Sequence, residues 1–328
     1  MTNREKFIDY VKNGADKPIC SLQIGAGAGF DAKLAGKKWL NETTFEDTVN
    51  AYERYETLPL YNFYVDVLTP AGLGWKTTKS EDLGEKRIWE DILSSPHGTL
   101  TQSSVGYPVL GSSRTKQPIE SPEDWDVFER ILDEILNGKY YDKLTENMAS
   151  IVKTVGERGA IDFQWGMQPY ELFSYPSNLD TMLFSIDYEE RFTSLMQKCL
   201  EISKKIVNCV SQAGGDFCFL GGPAAEMVNP YIYENFIVPY GKAITDEVHK
   251  KGMLVYSHVC SPIEPFLTNG YFNQMGIDLF ETLSPPPVGN VKSIEDAFSK
   301  IDNKICTRGN VGIDVLINGT PDEVRQIV

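Results

Sequence analysis

What most constrains this chain is the alternation in its second half, where short apolar runs change places with amphipathic segments across loops of a few residues. Ala160–Gly166 is predicted as a strand, Tyr188–Ala213 as a long helix stopped by Gly214-Gly215, and Asp216–Leu220 as the next strand. Pro230–Lys250 (helix), Met253–Cys260 (strand), Pro262–Asn269 (helix), Leu279–Leu283 (strand), Ser293–Lys300 (helix) and Lys304–Asn310 (strand) follow. Upstream, Lys17–Gly25 and Leu58–Asp66 are expected as early strands and Tyr140–Arg158 as a helix. Strands separated by helices pair in parallel through crossovers. This many units favours a (β/α)8 TIM barrel over a doubly wound sheet. We expect a single domain over residues 1–328, with 72–122 as an insertion or excursion. Thr320-Pro321-Asp322-Glu323 has the cap, proline and acids that begin a helix. Counted this way, the barrel is expected to lack its last strand in this chain.

A chain of 328 residues with 41% hydrophobic content can bury a core of barrel size. Its net charge of −15 argues against nucleic acid or an anionic membrane surface as a partner. The opening Met-Thr-Asn-Arg-Glu-Lys-Phe7 has no apolar leader core, and no run of about 18 apolar residues occurs. Six cysteines, scattered without a C-x-x-C pair, fit a reducing compartment, so a cytoplasmic location is expected.

In a parallel barrel, chemistry gathers at the C-terminal ends of the strands. Met253-Leu-Val-Tyr-Ser-His-Val-Cys260 is the most informative such end. Residues two apart on a strand share a face about 7 Å apart, and an imidazole beside a thiolate suits zinc. Glu281, an acid inside the apolar run Asp278-Leu-Phe-Glu-Thr-Leu283, is costly to bury unless paired or bound to a cation. His258, Cys260 and Glu281 are therefore expected as three metal ligands with an open fourth position, the pattern of catalytic zinc. Each also has a plainer explanation. Cysteine often only fills space, the histidine can be satisfied by backbone, and Glu281 can form a strand-end salt bridge with Arg308. Asp66, at another strand end, is the candidate catalytic acid. Gln164, Trp165 and Tyr170 are candidates for lining a substrate pocket, or ordinary barrel packing. The run Gly25-Ala-Gly-Ala-Gly29 lacks G-x-G-x-x-G spacing and fits a wide turn better than a dinucleotide site. Ser284-Pro-Pro-Pro287-Val-Gly289 is expected as a rigid loop beside the site.

Several ordered features from Gly215 to Glu323 resemble the uroporphyrinogen decarboxylase superfamily, and within it the zinc-dependent corrinoid methyltransferases. They are Asn229-Pro230, Phe236-Ile-Val-Pro239-Tyr240, His258-Val259-Cys260, Glu281, Lys304-Ile-Cys-Thr-Arg-Gly-Asn310 and Asn318-Gly-Thr-Pro-Asp-Glu-Val324. Asp66 with Pro70, and Leu73-Gly74, match less closely. The resemblance implies a barrel with its site inside the C-terminal mouth. It also implies zinc on His258, Cys260 and Glu281, and a corrinoid supplied by a partner protein. The reaction implied is methyl transfer between that corrinoid and a thiol or small methylated substrate. The decarboxylase branch binds its tetrapyrrole with arginines near the first strand. Here Ser21-Leu-Gln-Ile-Gly-Ala-Gly-Ala-Gly-Phe30 has none, which leaves decarboxylation, and a non-catalytic binding relative, as the alternatives. Two departures from the methyltransferases stand out. Ser261 replaces the usual glycine, and the family's last cysteine would fall beyond Val328.

Overall fold

The computed structural model describes residues 1–14, 16–24, 29–108, 111–165, 170, 177–223, 228–309 and 311–327. Strand β1 (Leu60–Tyr64) leads into an antiparallel meander of β2 (Lys76–Asp82), β3 (Arg87–Ser95), β4 (Gly98–Tyr107) and β5 (Gly111–Lys116). That meander occupies the 72–122 stretch expected as an excursion. The chain then returns through two helices, Pro122–Asn137 and Tyr141–Val155. It continues as β6 (Ala160–Gln164), β7 (Phe217–Phe219), β8 (Leu254–His258), β9 (Leu279–Glu281) and β10 (Cys306–Thr307). These five strands and β1 form one parallel sheet in the order β1-β6-β7-β8-β9-β10, with helices between successive strands. The architecture is TIM-barrel-like, but among the described residues the ladder does not close.

The expected strand at Lys17–Gly25 is the main correction. Residues 17–24 carry no ladder, and Gly25 lies outside the described residues. The segment nevertheless runs across the gap between β1 and β10. Cys20 O accepts from Leu58 N at 2.8 Å, and Ser21 Oγ accepts from Arg308 Nη1 at 3.4 Å. Pro18 removes one donor, and Leu22 N is diverted to the Thr57 hydroxyl at 3.0 Å, so a regular ladder cannot build there.

Side chains alternate between two cores, as a sheet covered on both faces requires. Tyr61, Phe63, Ile161, Phe163, Val255 and Phe280 point outward under the helices. Leu60, Ala160, Phe217, Leu254, Tyr256 and Leu279 point into the lumen. The first helix, Asn3–Asn13, plugs the floor with Phe7, whose ring meets Phe217 edge-on at 5.8 Å. Arg4 holds the plug in place by a two-pronged pairing with Asp216, at 2.9 Å on each oxygen.

The helix Glu189–Ala213 stops where expected. Gly214 takes φ +84, a conformation that favours glycine, and Gly215 N returns to Val210 O at 3.0 Å. Pro230–Lys250 is helical throughout but widens to a π turn at Tyr233–Ile237. Pro239, two residues on, cannot donate to the i→i−4 ladder, and the wider turn absorbs the mismatch. Among the described residues no helix is long and apolar enough to cross a membrane.

Candidate active site

The parallel register sets His258 directly opposite Glu281 at the C-terminal ends of β8 and β9. Both continue the lumen-facing series of their strands, above Tyr256 and Leu279. His258 Nδ1 lies 3.0 Å from Glu281 Oε1. Because the carboxylate can only accept, Nδ1 carries a proton and donates it to Glu281. Tyr256 donates its hydroxyl to the same Oε1, and Arg308 donates from Nε to Oε2. Arg308 also sits over the Tyr256 ring, 5.4 Å from its centroid.

This cluster sits in a nearly dry setting. Glu281 is 3% exposed. Burial alone would raise its carboxyl, but the charge of Arg308 and the bonds from His258, Arg308 and Tyr256 hold it down at about 2. Burial also opposes charge on His258, yet its contacts with Cys260 and Glu281 prevail and lift the imidazole to about 9. The Tyr256 phenol is pushed well up, by burial first and then by the neighbouring carboxylate. The plainer reading of Glu281, a salt bridge to Arg308, is thus present, and it coexists with the contact to His258.

Cys260 departs from the geometry expected of it. The strand ends at His258, so Cys260 lies two residues past the ladder and is exposed rather than buried. It still reaches the His258 ring. Among the described residues, no group of three or more histidine, cysteine and acidic side chains is arranged to hold a metal as it stands. Both oxygens of Glu281 are already taken.

Gln164 is buried on the lumen face of β6, and its amide donates to Asp162 Oδ2 at 2.9 Å. Asn62, from β1, donates to the same oxygen at 2.8 Å. Asp162 is fully buried, and burial pushes its carboxyl up to about 7 despite those two donors. Asn62, Asp162 and Tyr256 escaped the sequence reading. Asp162 carries the same signal that singled out Glu281, an acid inside an apolar run, here Ala160-Ile-Asp-Phe-Gln164.

Trp165 and Tyr170 belong to the outer core, where the indole N–H and the phenol OH are buried with no partner among the described residues. Tyr170 packs edge-on against Phe192 at 6.2 Å. Asp66 lies apart from the His258 cluster. It is exposed, and its Oδ1 accepts from Leu68 N at 2.9 Å and Thr69 N at 3.0 Å, capping the turn Thr69–Ala71. It borders a surface cleft with Leu144, Asn147 and Met148 of an outer helix. Residues 25–28 of the glycine-rich run lie outside the described residues. The proline-containing loop after β9 folds back on itself, with Gly289 N to Pro285 O at 3.0 Å and Val291 N to Ser284 O at 3.2 Å.

No curated protein sequence matches this chain. A solved structure described as a methyltransferase from Methanosarcina mazei superposes with a TM-score of 0.62 at 16% identity, over 95% of this chain and 83% of that one. At that identity the likeness speaks for the fold alone. The family pattern described as uroporphyrinogen decarboxylase (URO-D) matches residues 106–328. That span is well over half of the sequence, and the chain belongs to the uroporphyrinogen decarboxylase family.

Proposed function

We propose that this chain is a methyltransferase that moves a methyl group between a corrinoid carried by a partner protein and a thiol or small methylated substrate, with zinc at His258 and Cys260. The observation that carries the proposal is the arrangement at the mouths of β8 and β9. There an imidazole has its Nδ1 proton fixed by Glu281, and a thiol stands beside it. The likeness of fold to a protein described as a methyltransferase supports the same reading.

The donor set suits zinc, since imidazole nitrogen and thiolate sulfur are its preferred ligands. His258 Nε2 and Cys260 would hold it. Glu281 orients the ring through Nδ1, as carboxylates commonly do for metal-bound histidines, and would join the ligands on releasing Arg308. When bound, zinc lowers the pKa of a thiol or draws charge from a methylated heteroatom.

The chain's own residues prepare that chemistry. Arg308 neutralises Glu281 so that the lumen carries no isolated anion, and Tyr256 fills the remaining acceptor position on Oε1. Phe7, Leu60, Phe217 and Leu279 make an apolar floor that keeps water out from below. Gln164, Asn62 and Asp162 form a polar wall that can orient a small substrate. A tetrapyrrole with several carboxylates finds less here, because Arg308, which reaches the lumen, is already committed to Glu281.

The test uses methylcobalamin as the corrinoid probe and a small thiol as acceptor, following the absorbance change on demethylation. Zinc-loaded protein should accelerate the reaction, and Cys260→Ala should abolish the acceleration. Loaded protein that gives only the background rate with methylcobalamin across a panel of thiols, and with cob(I)alamin across a panel of methylated amines, would leave a non-catalytic relative as the better account.

A further inference from the structure

The polar wall contains an imbalance. Asp162 Oδ2 receives two donors, from Asn62 Nδ2 and Gln164 Nε2. Among the described residues Asp162 Oδ1 receives none, and Asn62 Oδ1 receives none either. Both oxygens belong to side chains at most 5% exposed. If Asp162 is ionised, two acceptors are stranded in a dry interior, each a destabilising unmade bond. A single proton removes both costs. Placed on Asp162 Oδ1, it gives that atom a donor and gives Asn62 Oδ1 a bond, closing a two-bond acid–amide pair between the opposed residues of β1 and β6. The loading of both donors on Oδ2 is what a carboxylic acid shows, with Oδ2 as the carbonyl oxygen and Oδ1 as the hydroxyl.

We propose that Asp162 is held as a neutral acid in the resting protein, donating from Oδ1 to Asn62 Oδ1, and that loss of this proton to solvent tightens the site's hold on a divalent cation. The first half stands on the geometry of the wall. The second rests on the zinc reading above. The charged and titratable groups that act on Asp162, or feel its charge, come from around the sheet: Cys218 from β7, Tyr256 from β8, Glu281 from β9 and Arg308 just past β10. Burial is the largest influence on Asp162, ahead of its two donors and the opposing charges of Arg308 and Glu281, and the carboxyl lies near 7. Once ionised, Asp162 adds a negative charge to a lumen that otherwise has a neutral Arg308–Glu281 pair. That addition favours any cation at the mouth. Asp162 therefore acts as a positioning residue, through charge, without touching the metal.

Two measurements test the two halves. Infrared difference spectra in light and heavy water should show, at about pH 6, a protonated carboxyl band that Asp162→Asn removes; exposed aspartates are ionised there. Protein labelled with carbon-13 aspartate shows without a variant that the band is aspartyl. Absence of a protonated aspartyl band at that pH would overturn the proposal.

Zinc affinity, measured by competition with a chromophoric chelator, should be equal in wild type and Asp162→Asn at about pH 6. It should become about 3- to 10-fold tighter in wild type at about pH 8.5. Equal affinities at both values would overturn the coupling. Failure of both proteins to bind zinc would defeat the zinc reading and the coupling with it, while the infrared result would still decide the protonation.

Discussion

Arg308 and Glu281 form an ion pair inside the lumen, with side chains only 11% and 4% exposed, and each partner exists in that setting because of the other. Removing one leaves the second charge buried and uncompensated, which typically costs about 3–5 kcal/mol. Arg308→Met should therefore lower the unfolding free energy by that order in a urea titration. The double variant Arg308→Met with Glu281→Gln should recover much of the loss. A loss for the double variant equal to the sum of the two single losses would show that the pair is not coupled.

The plug beneath the sheet gives a second prediction. Arg4 meets both oxygens of Asp216 and also donates to the Gly214 carbonyl. Arg4→Ala should lower stability by about 2–4 kcal/mol, since it strands a buried carboxylate. Hydrogen exchange should show the loss first in Asn3–Asn13 and in the start of β7.

A third concerns pH. His249 Nε2 lies 2.8 Å from Asp278 Oδ2, and that hydrogen bond, ahead of the opposing burial, raises the imidazole above its ordinary value. A raised histidine contributes stability that is fully present below its unfolded pKa of about 6.5 and is lost as pH climbs through the folded value. His249→Gln should therefore cost more stability at about pH 5.5 than at about pH 9. A loss independent of pH, read from thermal melts across that range, would contradict the assignment.

The loop after β9 gives a fourth. A Cβ on Gly289 would stand 2.2 Å from the Ser284 carbonyl oxygen, a backbone atom that cannot move alone. Gly289→Ala should cost about 1–3 kcal/mol by overpacking. Because the same loop leads away from Glu281, the substitution should also perturb the His258 ring signals in an NMR spectrum.

The sequence made the parallel architecture and the cluster of polar strand ends legible for one physical reason. A strand buried on both faces is apolar throughout, so His258 and Glu281 stand out. Asp162 carries the same signal, but it lies mid-strand rather than at the end where barrel chemistry gathers. Asp66 shows a second limit: an aspartate two residues after a strand is as well suited to cap a turn as to serve a site, and its Oδ1 caps the turn at Thr69. The meander β2–β5 was hard to read strand by strand. Lys76–Asp82 is exposed at every position, so alternation leaves little hydrophobic signal. The placement of Cys260 beyond the ladder depends on where pairing stops, and a two-residue periodicity does not encode that limit.

The most direct test of the central claim is the metal content of reduced protein by elemental analysis, in wild type and in His258→Ala and Cys260→Ala. The account predicts close to one zinc per chain in wild type and loss of it in both variants. Wild-type protein supplied with zinc that retains none after gel filtration, or a full complement in either variant, would contradict it.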